Sequence, residues 1–286
     1  MSLQKFQHRL RLNSSIKIFI IFLFFHSSVF CPSTQSDKKK DDLDVSQKKG
    51  GENPKVGDQK ILITSPALPK FSAAQATVWN QATFDGSCKY GDHWKTSLPY
   101  TALAHDTYGL AVYCGACIKV SHNGPTPVGS KGTKPTYGII TNECANCPPR
   151  ALDMEPQFYH TMMGGDAVPG ITSINWEIVD CTEAQPDARD FKTVKLIPKD
   201  GDSQYFFKFQ VAGTTLPIKK VETKSKESVW KNSVKTNYNY YSVDPPSDFI
   251  DVRITCENGK VLEYSNFQAV FNKNVEINDN CSKPKA

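Results

Sequence analysis

No stretch of the 286-residue chain approaches the length of a membrane span. A crossing helix takes about 20 apolar residues, whereas the unbroken apolar run here goes only from Ile18 to Phe25. Charge of one sign is not concentrated on any motif: residues 73–183 carry six basic against ten acidic groups, and residues 190–286 fifteen against twelve. Without a Lys/Arg stripe, nucleic acid is a poor partner. No internal repeat is visible, which excludes a repeat array.

What the N-terminus has is a basic segment, with Lys5, Arg9, Arg11 and Lys17, ahead of that short apolar run and the polar His26-Ser27-Ser28. This is the pattern of a secretory signal, with cleavage expected between Phe30 and Ser36. Residues 1–31 are therefore expected to be a leader, leaving no membrane association after cleavage. Residues 32–72, with Lys38-Lys39-Lys40-Asp41-Asp42 and Lys48-Lys49-Gly50-Gly51, have no hydrophobic period and suit a flexible spacer. Of the nine cysteines, Cys31 lies at the edge of the leader, so eight are expected in the exported chain. Eight cysteines in an oxidising compartment imply a disulfide framework, although the count leaves about 105 pairings open. The pairs Cys114/Cys117 and Cys144/Cys147 would also suit zinc thiolates, but the export route favours bridges. Neither a metal nor a cofactor is expected.

From Ala73 to Cys181, short alternations such as Ala76-Thr77-Val78-Trp79 and Ile118-Lys119-Val120-Ser121 are separated by Gly, Pro and Asn clusters. That is the pattern of an all-β barrel. Pro156 to Met163 is the one short helix expected, with Pro at its first turn and Gly164-Gly165 as a stop. Glu183 to Asp187 reads as a hinge. Beyond it Thr193–Ile197, Tyr205–Val211 and Ile250–Thr255 alternate again, suiting a β-sandwich of about 95 residues.

The motifs Ala76-Thr77-Val78-Trp79, Cys114-Gly115-Ala116-Cys117, Leu152-Asp153-Met154 and Ile174-Asn175-Trp176-Glu177, in this order, resemble the expansin family of wall-loosening proteins. The resemblance runs from about Ala73 to Cys281. It implies an all-β chain: a six-stranded double-psi β-barrel over 73–183, then an immunoglobulin-like polysaccharide-binding sandwich over 190–283. It further implies bridges Cys88–Cys114 and Cys117–Cys181, leaving Cys144 to pair with Cys147 and Cys256 with Cys281. Asp153 falls on the family's acid, between apolar neighbours that suit a proton donor, and Thr77 keeps its family position. Without the resemblance, Asp153 would read as the N-cap of the helix near Pro156.

Two departures bear on activity. Glycoside hydrolysis usually takes two carboxylates. Endoglucanases sharing this barrel carry their base after an aromatic-Trp pair, but here Val78-Trp79 is followed by Asn80. Many expansins have Thr-Asp in the middle strand, where this chain has Thr141-Asn142. The nearest spare carboxylate, Asp85, lies beside Gly86 in a loop. One acid and two amides argue against an inverting hydrolase, so the chain is expected not to be an enzyme. Tyr90, Trp94 and Tyr113 offer stacking surface or core.

In the second domain Tyr205, Phe206 and Tyr238 match the family's surface aromatics, whose flat faces stack on glucan rings. Strand period puts Tyr205 with Phe207, Phe209 and Val211 on the core side, leaving Phe206 exposed. The function implied is a secreted, monomeric, extracellular protein of the cell wall. It would bind cellulose or another wall β-glucan and loosen non-covalent contacts without hydrolysis. The alternatives are a polysaccharide-binding matrix protein without loosening activity and a single-acid lytic transglycosylase. Asn280-Cys281-Ser282 is a formal glycosylation sequon.

Overall fold

The computed structural model describes residues 67–225, 229–269 and 273–282. The expected leader, and residues 32–66 of the expected spacer, lie outside the described residues. The first strand starts at Lys70, three residues ahead of the expected onset.

The first domain is a barrel of β1 (Lys70–Val78), β2 (Tyr100–Ala104), β3 (Cys117–His122), β4 (Thr136–Cys144), β5 (Leu152–Met154) and β6 (Ile171–Val179). They close in the order β1-β5-β2-β4-β3-β6. Two pairs, β1/β5 and β2/β4, are parallel, so the chain must cross the barrel between them rather than turn back in a hairpin. Alternation decides the faces: Ala74, Ala76, Leu152 and Met154 point into the core, while Thr77, next to Ala76, and Asp153, between Leu152 and Met154, do not. The core is filled by Leu103, Ile118, Ile139, Phe158 and Trp176, all at or below 2% exposure.

Three short helices decorate the barrel: α1 (His105–Tyr108), α2 (Pro156–Met163) and α3 (Cys181–Ala184). α2 has the expected bounds, with Pro156 in its first turn and Gly164 in the left-handed conformation at its end. It lies so close to β4 that a Cβ on Gly138 would come within 2.3 Å of the Phe158 ring. The α2 cap position is Glu155, without a side-chain cap bond. Asp153 is on β5 and caps no helix.

The second domain is a β-sandwich. One sheet has the order β11-β12-β8-β7-β15 and the other β10-β9-β13-β14. The strands are β7 (Val194–Pro198), β8 (Lys208–Ala212), β9 (Ile218–Ser225), β10 (Lys231–Asn232), β11 (Val234–Lys235), β12 (Tyr241–Ser242), β13 (Phe249–Cys256), β14 (Val261–Gln268) and β15 (Val275–Ile277). Leu196, Phe209 and Val211 from one sheet meet Val221, Val252, Ile254 and Phe267 from the other in a single apolar cluster. β8 is shorter than alternation suggested. Ser203 and Phe206 bridge across a tight turn, so the strand begins only at Lys208.

The described residues hold four disulfides: Cys88–Cys114 and Cys117–Cys181, the pairs the resemblance implied, and Cys144–Cys147 and Cys256–Cys281, the pairs left by elimination. The expected hinge is instead a pinned joint. Glu183 and Ala184 belong to α3, Gln185 is 4% exposed, and Asp180 caps the helix through Thr182 N. The Asp190 carboxylate accepts from Thr96 Oγ1, Ser97 N and Gln185 Nε2 at 2.8–2.9 Å. Partial burial works against its charge, but these bonds prevail and hold its pKa below the usual carboxylate range. Tyr90 and Trp94 pack with Phe191 at this junction and are core, not stacking surface; Tyr113 is partly buried against the same cluster.

Asn280 completes the joint. Its amide donates to Phe191 O and Gly213 O at 2.7 and 2.8 Å, and its carbonyl accepts from Thr215 N and Cys281 N at 2.7 Å each. At 5% exposure there is no room for a sugar on this nitrogen. Asn280→Ala strands several buried polar groups, so a loss of about 2–4 kcal/mol is expected in denaturant unfolding. The folded protein should show no glycan at Asn280 by peptide mass mapping.

Candidate functional site

The site is a row laid across four strands. Thr77 on β1 pairs with Asp153 on β5, and Asp153 pairs on its other side with Ala102 on β2. Ala102 in turn is level with Asn142 on β4. Residues level with one another share a face of the sheet, here the outer face of the barrel. The β2/β4 register skips Thr141, a β-bulge, and that shift brings Asn142 opposite Ala102. The row thus brings Thr77, Asp153 and Asn142 onto one face, with the buried Ala102 between acid and amide.

Thr77 Oγ1 donates to Asp153 Oδ1 at 2.5 Å. The hydroxyl fixes one carboxyl oxygen and leaves the other unconstrained by that contact. Asn142 turns elsewhere: its Oδ1 accepts from Ser87 N at 2.7 Å and Glu143 N at 2.8 Å. It therefore holds the 84–88 loop rather than the acid. Gly86 is required for this, since a Cβ there would lie 2.4 Å from Asn142 Cγ. Gly86→Ala should cost about 1–3 kcal/mol through displacement of the asparagine, read as a lowered thermal midpoint.

Glu155 was missed from sequence because it reads as the helix start. It follows Asp153 by two residues in extended backbone, and its N–H donates to Tyr100 O. Period two places it on Asp153's side. Burial raises its pKa, and a hydrogen bond with the Tyr100 hydroxyl partly offsets this. Glu143 is occupied by a close contact with His105 Nδ1, and Asp85 is exposed. Cys144 Sγ, Cys147 Sγ and an Asp153 oxygen lie within 4.8 Å of one another. With both sulfurs in a bridge, that trio offers one carboxylate rather than three metal ligands.

The aromatic candidates are exposed: Tyr205 81%, Phe206 44% and Tyr238 55%. Tyr205 departs from its expected core side because the Ser203–Phe206 turn breaks the alternation before β8 begins, while Phe207, Phe209 and Val211 are buried. Lys199 and Lys208 set their ammonium groups 5.9 and 5.2 Å from the Phe206 ring centre. A groove of about 440 Å³ beside them is lined by Lys89, Lys199, Lys208, Thr236, Asn237, Tyr238 and Tyr240. Lys89 comes from the barrel, so the groove spans both domains. The lysines and Tyr240 carried no sequence signal beyond the aromatic cluster.

Below Phe206, Asp202 accepts from Lys199 N and Lys208 N at 2.8 and 3.0 Å. Burial pushes its pKa up to about 6 despite those bonds and the two lysine charges. A carboxyl whose folded pKa is raised contributes stability below its unfolded pKa of about 4, which is lost as pH rises through about 6. The thermal midpoint should therefore fall less between pH 4 and 7 in Asp202→Asn than in the parent.

No protein-family model matches the sequence, and no curated protein matches it. Among solved structures, the apo expansin of Clavibacter michiganensis is similar over 72% of this chain and 95% of its own, with TM-score 0.56 and 19% identity. A mutant of the same expansin in complex with cellohexaose gives the same coverage, identity and TM-score. The chain thus has an expansin-like fold, a closed six-stranded barrel followed by a β-sandwich.

Proposed function

We propose that the protein is a secreted, monomeric expansin-like protein of the extracellular wall. It binds cellulose or a related β-glucan and loosens non-covalent contacts between chains without hydrolysis. The observation that carries this is the outward row of Thr77 and Asp153, in a fold whose structural relative was solved with cellohexaose. Exposed Tyr205, Phe206 and Tyr238 supply the flat apolar faces that stack on glucan rings. Asp153, aligned by Thr77, is the acid that exchanges a proton or hydrogen bond with a chain hydroxyl. Across the four paired positions Asp153 is the sole carboxyl, which disfavours a two-carboxylate hydrolysis along the row.

The second reading, a binding protein of the matrix without loosening activity, is favoured by one observation. Asn142 is committed to Ser87 and takes no part in an acid pair with Asp153.

The test is extension of heat-killed cellulosic wall strips under constant load, with soluble sugars assayed in the bath. Parent protein should extend the strips without releasing sugar, and Asp153→Asn should not. Tyr205→Ala, Phe206→Ala and Tyr238→Ala should each weaken cellulose binding about three- to tenfold. Binding without extension would leave the matrix reading, and released anhydro-sugar would replace both with a transglycosylase, in which Glu155 would need testing alongside Asp153.

A further inference from the structure

We propose that the Cys144–Cys147 disulfide is a redox-active site, opened and closed by small external thiols while the chain stays folded, with Asp153 controlling the exchange. Its placement differs from that of the other bridges. Cys88, Cys117, Cys181, Cys256 and Cys281 are all at or below 1% exposure, so each other bridge has at least one buried partner. Cys144 and Cys147 are both only half-buried, and Ala145, Asn146 and Pro148 around them are exposed.

The bridge also contributes least to the fold. It joins residues three apart, against separations of 26, 64 and 25 for the others. Closing so short a loop restricts the unfolded chain far less than closing the long ones. Cys147 N also donates to Cys144 O at 3.4 Å, so the turn has a backbone tie of its own. Such a bridge has little structural work to do, yet it sits where β4, carrying Asn142, ends and the chain turns toward β5, carrying Asp153.

The chemistry follows from the trio within 4.8 Å. A thiolate attacks one sulfur, the Cys144–Cys147 bond breaks, and the other cysteine leaves as a thiolate that takes up a proton. A second thiol then attacks the mixed disulfide. The external pair departs oxidised as R–S–S–R, and Cys144 and Cys147 remain as two thiols. The external thiolate must approach, and the leaving cysteine thiolate must form, beside the Asp153 carboxylate, whose negative charge opposes both. Asp153 therefore retards opening and favours the bridged state, and opening the bridge releases the turn next to the acid. None of this depends on the polysaccharide reading, because the exchange needs no glucan.

The experiment is native-state reduction of the full chain at pH 7.5 with glutathione, followed by alkylation and peptide mass mapping. Thiols should appear at Cys144 and Cys147 first, with the six other bridged cysteines unlabelled and the far-ultraviolet circular dichroism unchanged. Asp153→Asn should open about five- to tenfold faster, from loss of one charge at this distance near the surface, and Asp153→Glu should restore the slower rate. The double variant Cys144→Ala/Cys147→Ala should fold with a thermal midpoint within a few degrees of the parent. Earlier or simultaneous opening of another bridge, an unfolded double variant, or equal rates in parent and Asp153→Asn would each overturn the proposal.

Discussion

Cys88 is held from three directions, and the geometry of both domains follows from that. Its sulfur is bridged to Cys114. Its N–H donates to Thr141 O, the bulged residue of β4. Its carbonyl accepts from Gln210 Nε2 and Asn239 Nδ2 of the sandwich at 2.8 and 3.2 Å. Cys88 and its three hydrogen-bond partners are buried, where an unmade hydrogen bond is costly. One residue therefore ties together the loop that Asn142 grips, the bulge that brings Asn142 level with Ala102, and the sheet that follows Phe206. The acid row and the aromatic groove are positioned by the same few atoms.

The barrel was largely legible because its signals are local. Alternation marked strands, Pro156 and Gly164 bounded α2, and the resemblance implied Cys88–Cys114 and Cys117–Cys181, which left Cys144 for Cys147. Asp153 and Thr77 could be placed as candidates, and the parallel β1/β5 pairing joins them. Less legible was anything set by contacts distant in sequence. Alternation in Tyr205–Val211 was true of Phe207, Phe209 and Val211, but it could not show that Ser203 and Phe206 turn the chain and expose Tyr205. Gln210, which alternation put on the solvent side with Phe206, is wholly buried because the barrel covers that face. Glu183 to Asp187 looked like a hinge from composition alone. Only the partners from Thr96, Ser97 and Asn280, far along the chain, show that the junction is fixed.

Asn142 illustrates how a single substitution acts through geometry. Where many expansins have an aspartate, an amide oxygen accepts two backbone N–H bonds. An aspartate could make the same bonds, so loop anchoring alone does not require the amide. What the amide changes is charge: Asn142 sets no second negative group across Ala102 from Asp153. The Cys144–Cys147 bridge begins at the last residue of the same strand, so on the β4 side Asp153 has an amide and a neutral disulfide for neighbours rather than a second carboxylate.

The joint sealed by Asn280 also orders the chain in time. Strands β1 to β6 all lie within residues 70–179 and can close as soon as that length has been synthesised. The carbonyls of Phe191 and Gly213 and the N–H of Thr215 meet their partner only when residue 280 arrives, and Ser282 then reaches back to Asp180. The barrel is therefore built first and the seam last. A chain halted before residue 280 would carry a closed barrel beside an unlatched sandwich.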